Sequence, residues 1–103
     1  MIVFSILLDA NYPELNIRRS YLIEAGEDIF GEWVVEINYG RIGCKGRKKV
    51  FLMDCEEDAK KEVKKRLKKR EGLIKRIGVR YSIKLIYGND WFESSNLEYI
   101  FSK

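Results

Sequence analysis

Residues 32–53 read EWVVEINYGRIGCKGRKKVFLM, and this stretch decides the fold. Large apolar or aromatic side chains fall at every second position between residues 33 and 39, which predicts a half-buried antiparallel strand. Gly43 and Gly46 bracket a short segment, and because glycine adopts positive φ at little cost, this segment predicts a hairpin connection. Residues 47–53 then form the returning strand, so the stretch predicts a β-hairpin.

The segments on either side of this hairpin predict further strands. An apolar run at residues 2–8 predicts a first strand, and Asn11-Tyr12-Pro13 predicts the turn after it. Alternation at residues 20–25 predicts a second strand, with residues 26–31 as the connection to the hairpin. Residues 79–87 alternate again, and residues 97–101 predict a short last strand.

One helix lies between the hairpin and the later strands. Asp54 is a suitable N-cap, Glu57 can complete a capping box, and Gly72 predicts the end of the helix in a Schellman motif. Ala59, Val63 and Leu67 form a narrow apolar stripe, which Arg66 and Arg70 flank. This order of elements predicts an α+β fold, an antiparallel β-sheet with one long helix packed across one face. We expect residues 1–103 to form a single domain.

The composition argues against several classes of function. The chain has no histidine and only two cysteines, so neither a tetrahedral zinc site nor a catalytic Ser-His-Asp or Cys-His arrangement is expected. The glycines at 40, 43 and 46 join strand to strand and do not open a helix as a phosphate loop does. No apolar run approaches the roughly 18 residues of a membrane-spanning helix. We therefore expect no cofactor, and reduced cysteines in a cytoplasmic protein.

Positive charge is concentrated in one part of the sequence. Residues 1–40 contain two basic and seven acidic side chains, whereas residues 41–76 contain 15 basic and six acidic side chains. Such a segment is typical of proteins that bind a polyanion, most often nucleic acid. It is also typical of a solvated helix face, because the lysines of the helix lie opposite its apolar stripe.

Tyr39, Gly40 and Arg41 form the candidate site. Alternation places Tyr39 and Arg41 on one face of the strand, so Tyr39 is either the last core residue or part of an exposed aromatic-cation pair. An exposed pair can stack on a base and grip a phosphate, and Gly40 lets a ligand or another backbone approach. Arg18 and Arg19 precede the second strand and would join this site if the sheet places them near Arg41.

With the residues around it, Tyr39-Gly40-Arg41 resembles the WGR domain, a family named for a Trp-Gly-Arg motif at this point. Similar features include a basic entry to a strand at residues 16–23 and an acidic loop at residues 27–33. Three further features match the family: the hydrophobic-Gly pair after the motif, the acidic start of the helix, and residues 76–81. The last of these resembles stand-alone bacterial members. The resemblance covers about residues 16–87, and residues 88–103 form a C-terminal extension.

The resemblance implies a sheet-and-helix module without catalytic activity. WGR domains of poly(ADP-ribose) polymerases contact DNA at breaks, with the motif Trp against the sugar-phosphate end and the motif Arg in DNA or interdomain contacts. Carried over, these roles fall on Tyr39, Arg41 and Arg19, with Arg18 as a neighbour. The motif Trp is Tyr here, and its ring stacks over a smaller area.

These observations predict a module that binds nucleic acid, with DNA favoured, through the backbone or ends and with little sequence specificity. The predicted contact residues are Tyr39, Gly40, Arg41, Arg18, Arg19, Lys45 and Arg47. The alternative is a regulatory module that binds an acidic protein partner, because an arginine beside an aromatic ring is typical of binding hot spots. We expect no membrane association, and the oligomeric state stays open.

Overall fold

Five strands and one helix make up the described part of the chain, which in this computed structural model is residues 1–77, 80–88 and 91. The strands are β1 (Ile2–Tyr12), β2 (Ile17–Glu27), β3 (Trp33–Arg41), β4 (Arg47–Met53) and β5 (Ser82–Tyr87). The helix is α1 (Glu56–Ile77), whose side chains are described as far as Arg70. No helix in these residues is long and apolar enough to cross a membrane.

The strands form one antiparallel sheet in the order β4-β3-β2-β1-β5. The long hairpin of β2 and β3 is at its centre and pairs continuously from Glu27 opposite Trp33 to Arg19 opposite Arg41. Helix α1 packs across one face of the sheet, over β2, β3 and β4. This arrangement confirms the predicted α+β fold.

The core lies between α1 and the sheet. The predicted helical stripe of Ala59, Val63 and Leu67 is at most 1% exposed, which confirms that this side of α1 faces the sheet. Its buried neighbours are the inward side chains of the strands: Phe4, Ile6, Leu8, Ala10, Tyr21, Ile23, Ala25, Val35 and Ile37. These side chains occupy alternate positions of β1, β2 and β3, as expected for strands with one face on a core.

Trp91 closes the core near the start of α1. Its ring stacks on Phe4 with centroids 5.5 Å apart and on Trp33 with centroids 6.2 Å apart. The indole Nε1 donates a hydrogen bond to the Glu56 carboxylate at 2.8 Å. The start of α1 is therefore tied to the end of the sheet where β3 begins.

Three predicted strands have different boundaries in the structure. β1 continues to Tyr12 and β2 begins at Ile17, because the two pair along their whole length despite weak strand formers such as Asp9 and Asn11. Chain reversal occurs later than predicted, in a 3₁₀ turn at Pro13–Leu15. Residues 26 and 27 belong to β2 and not to the following loop. β5 begins at Ser82, and residues 80 and 81, which were predicted as part of this strand, are not strand. Residue 79 and the predicted strand at 97–101 lie outside the described residues.

Both ends predicted for the helix are wrong. The carbonyl of Cys55 accepts the first helical hydrogen bond from the Ala59 N–H at 3.2 Å, so Cys55 and not Asp54 is at the N-cap position. At the other end the backbone stays helical through Gly72 as far as Ile77. A single glycine inside a helix costs about 1 kcal/mol relative to alanine, which the helix-forming residues on either side offset.

Candidate functional site

The candidate site is at the end of the sheet where β2 begins and β3 ends. Arg19 lies directly opposite Arg41 on the neighbouring strand, and Tyr21 lies opposite Tyr39. The Ile42 N–H also donates to the Arg18 carbonyl at 2.9 Å, which extends the pairing beyond the last strand residue. The register thus places Arg19 beside Arg41, which is the condition under which Arg19 was expected to join the site.

Tyr39 lies at the boundary between core and surface. Its ring is half-buried and packs on the Tyr21 ring with centroids 6.4 Å apart and an interplanar angle of 36°. The ammonium of Lys49 lies 5.9 Å from the centroid of the Tyr39 ring. Tyr39 therefore has features of both predicted alternatives, because it adjoins the core and also lines a surface groove.

Arg41 is exposed and is held from the β1–β2 connection. One of its terminal N–H groups donates to the side-chain oxygen of Asn16 at 3.1 Å. Asn16 itself has a left-handed backbone with φ of 56°, a conformation that asparagine tolerates better than most residues. The turn after β1 therefore helps to orient the arginine at the end of β3.

The other predicted contact residues are placed differently. Arg47 lies opposite Tyr39 on β4, so it belongs to the same end of the sheet as Arg19 and Arg41. Lys45 is exposed in the connection between β3 and β4. Arg18 neighbours Arg19 in sequence, and strand alternation puts its side chain on the opposite face of the sheet. Arg18 is thus separated from the other predicted contact residues by the sheet itself.

Gly40 approaches another part of the same chain. A Cβ atom at Gly40 would lie 2.7 Å from the Cα of Gly46, and a Cβ atom at Gly46 would lie 2.6 Å from the carbonyl oxygen of Tyr39. Gly46 also has a φ of +73°, which is unfavourable for residues with a side chain. The close approach that Gly40 permits is therefore filled by the backbone of the hairpin connection.

A groove of about 250 Å³ opens beside Tyr39, between the sheet and the described part of α1. We call it the tyrosine groove. It is lined by Arg19, Ser20, Tyr39, Gly40, Arg70 and Tyr81. Three of the predicted contact residues therefore share one depression, together with an arginine from the helix and a tyrosine that precedes β5.

Arg70 and Tyr81 are not among the contact residues predicted from the sequence. The Arg70 guanidinium lies 4.4 Å from the centroid of the Tyr21 ring, and its Nε is buried without a hydrogen-bond partner among the described residues. Arg70 follows Val63 by seven residues, which is two helical turns along the apolar stripe. Its position on the inner side of α1 could therefore be predicted from the sequence. The contribution of Tyr81 depended on strand order, which the sequence does not specify.

Tyr21, whose ring contacts both Tyr39 and Arg70, has a perturbed pKa. Burial raises the pKa of the Tyr21 phenol above its usual value of 10.0, while the positive charges of Arg70 and Arg66 lower it by a smaller amount. Tyr21 is therefore neutral at physiological pH. Its ring acts as an apolar support for Tyr39 and Arg70 and not as an acid or base.

Comparison with protein families identifies the chain. The model of the WGR domain matches residues 5–73, a segment that contains the central hairpin, the Tyr39-Gly40-Arg41 motif and most of α1. No curated protein and no solved structure matches the chain. Because the family model spans more than half of the sequence and includes the motif at the end of β3, the chain belongs to the WGR domain family.

Proposed function

We propose that residues 1–103 act as one module that binds nucleic acid at the end of the sheet formed by Arg19, Tyr39, Arg41 and Arg47. WGR domains are non-catalytic binding domains, and in poly(ADP-ribose) polymerases they bind nucleic acid. The proposal for this chain is finer, because it assigns the contact to named residues. DNA is the favoured ligand, gripped by its backbone or an end and with little sequence specificity.

The observation that carries the proposal is the concentration of positive charge at this end of the sheet. Arg19 and Arg41 lie opposite each other on adjacent strands, and like charges in that position repel. Within the described residues, none of Arg19, Arg41 and Arg47 forms an ion pair. A phosphate between them would replace repulsion with charge-assisted hydrogen bonds, which are about twice as strong as neutral ones.

Electrostatic attraction from the helix would support this grip. Exposed lysines follow one another along the outer side of α1: Lys61, Lys64, Lys65, Lys68 and Lys69. Such charges attract a polyanion without selecting its sequence. The arginines at the end of the sheet would then fix where the phosphate backbone or strand end lies.

Fluorescence anisotropy with labelled duplex DNA, single-stranded DNA and RNA, at several salt concentrations, tests the proposal. Arg19→Ala and Arg41→Ala should each weaken binding of every sequence and lower the slope of log K against log salt by roughly 0.9 for duplex DNA. Lys61→Ala is the matched control, since it removes one positive charge from the outer side of α1. Arginine variants that bind no more weakly than this control would refute a localised grip.

Chemical-shift perturbation then shows where the ligand lies. Shifts concentrated at residues 19, 39–41 and 47 support the proposed site, whereas shifts confined to the helix lysines indicate only general charge attraction. The alternative of an acidic protein partner predicts a different outcome. An acidic peptide would then perturb the same residues, while nucleic acids would bind weakly and without dependence on Arg19 or Arg41.

A further inference from the structure

The two ends of the central hairpin carry opposite charge. At the end where β2 leads into β3, exposed carboxylates come from the loop and from the segment around the start of α1: Glu27, Glu32, Asp54, Glu56 and Glu57. At the other end lie Arg19, Arg41 and Arg47, with Arg70 lining the adjoining tyrosine groove. Eight residue steps of about 3.3 Å separate these ends, a span of about 26 Å.

The acidic end presents two apolar side chains to solvent. The β2–β3 loop, residues 28–32, holds Ile29 at 93% exposure and Phe30 at 79% exposure. Neighbouring Glu27 and Glu32 are also exposed. Most large apolar side chains of a folded domain are at least partly covered, so two adjacent ones at a loop tip require an explanation.

Hydrogen bonds hold this loop in one shape. The Asp28 carboxylate accepts from the N–H groups of Phe30 and Glu32, both at 2.9 Å. The Asp28 N–H donates to the Glu32 carbonyl at 2.9 Å, and the Gly31 N–H donates to the Asp28 carbonyl at 3.1 Å. Ile29 and Phe30 are thus fixed in an outward position, and a rigid apolar tip loses little conformational freedom when it binds.

The tyrosine groove at the opposite end complements this tip. Tyr39 and Tyr81 are among its lining residues, and Arg19 and Arg70 supply positive charge. Its volume of about 250 Å³ exceeds the roughly 150 Å³ of a cavity that accommodates benzene. An aromatic side chain flanked by carboxylates therefore matches the groove in size, polarity and charge.

We propose that the β2–β3 loop of one copy of this chain docks into the tyrosine groove of a second copy, with Phe30 as the anchor. The contact must form between copies, because the rigid hairpin separates the loop from the groove of the same molecule. The loop and the groove lie at opposite ends of the hairpin, so two antiparallel copies related by a two-fold axis can form both contacts at once. Copies that do not close in this way can each bind one partner at each end, which produces rings or open chains.

The inference goes beyond the proposed binding of nucleic acid and does not depend on it. A nucleic acid that contacts Tyr39 and Arg19 would compete with the loop for the same groove. Self-association can nevertheless be measured without any nucleic acid. A negative result in the DNA-binding assay therefore leaves this proposal open to its own test.

Sedimentation velocity of the full chain, at concentrations from about 10 µM to about 1 mM, provides that test. The wild type should show an average mass that rises with concentration and falls when salt is added, since salt screens the charges. Phe30→Ser should weaken association at least about 30-fold, as expected for a hot-spot anchor. Leu85→Ser is the matched control, because Leu85 is 66% exposed on β5.

Complementation between two variants tests the pairing itself. Phe30→Ser has an intact groove, and Arg19→Glu has an intact loop but a groove of altered charge. Each variant alone should be monomeric, and an equimolar mixture should form 1:1 complexes that do not grow further. Circular dichroism verifies that both variants, which alter exposed positions, remain folded.

Three outcomes would overturn the proposal. A wild-type chain that stays monomeric over the whole concentration range shows that the groove does not accept the loop. Association that Phe30→Ser and Leu85→Ser reduce equally shows that Phe30 is not an anchor. A mixture of Phe30→Ser and Arg19→Glu that remains monomeric, while the wild type associates, shows that the loop and the groove are not each other's partners.

Discussion

The substitution Gly46→Ala tests whether the hairpin connection packs against β3, the contact that gives the motif glycine, Gly40, a structural role. A Cβ atom at Gly46 would lie 2.6 Å from the carbonyl oxygen of Tyr39, and the φ of +73° disfavours any residue with a side chain. The backbone conformation alone costs roughly 1–2 kcal/mol. Moving the backbone of β3 away from the new methyl group adds roughly 1–3 kcal/mol. We therefore expect Gly46→Ala to lower the free energy of unfolding by roughly 2–5 kcal/mol.

Gly43→Ala is the matched control for this experiment. Gly43 lies in the same connection with a φ of +85°, and a Cβ atom there meets nothing within 4 Å. It should therefore cost only the roughly 1–2 kcal/mol of the backbone conformation. Urea denaturation gives both free energies, provided that the m-values stay equal. The difference between the two variants measures the contact between Gly46 and β3.

Two results would refute the reasoning. If Gly46→Ala is no less stable than Gly43→Ala, the hairpin connection does not press on β3. If Gly40→Ala leaves the unfolding free energy unchanged and only weakens nucleic-acid binding, Gly40 provides clearance for a ligand. The structure leads to the opposite expectation for Gly40→Ala, since its Cβ would lie 2.7 Å from the Cα of Gly46.

Three further predictions concern the residues around the site. The ultraviolet difference titration between wild type and Tyr21→Phe should show the Tyr21 phenol ionising above pH 10.0, because burial favours its neutral form. Thermal stability should therefore fall more steeply in the wild type than in Tyr21→Phe as pH rises through that ionisation. Arg70→Met should shift this ionisation to still higher pH, since it removes the nearest positive charge, and an unchanged midpoint would contradict the assigned contact. Trp91→Phe should lower the free energy of unfolding in urea by about 1–3 kcal/mol, because it removes the hydrogen bond to Glu56 and part of the stacked ring. An unchanged value would mean that Trp91 does not connect the start of α1 to the sheet.

The sequence predicted those features that depend on local periodicity. Alternation located β3, and the spacing of Ala59, Val63 and Leu67 identified the inner side of α1, because burial selects for these periods directly. Boundaries were predicted less well. Long-range pairing extended β1 through the weak strand formers Asp9 and Asn11, an effect that local propensity does not contain.

Some residues of the candidate site follow from single elements of the sequence, whereas their arrangement does not. Tyr39 and Arg41 followed from one strand, but their relation to Arg19 required the register between β2 and β3. Arg70 entered the site because α1 is oriented with its later turns near Tyr21. The same orientation places the acidic start of the helix near the β2–β3 loop, so the separation of charge along the molecule comes from the topology and from the sequence together.

Tyr39, which stands where the family motif has tryptophan, lines the groove, and its ring is not free to stack on a ligand over its whole area. One side of Tyr39 packs on Tyr21, and the ammonium of Lys49 lies 5.9 Å from the ring centroid. A base stacked on the whole ring would have to displace these neighbours, which offsets part of the roughly 1–3 kcal/mol of such stacking. Lining the groove beside Arg19 requires no such displacement. Whatever occupies the groove should therefore depend more on the arginine charges than on the area of the ring, so Tyr39→Leu, which removes the aromatic ring, should weaken binding less than Arg19→Ala does.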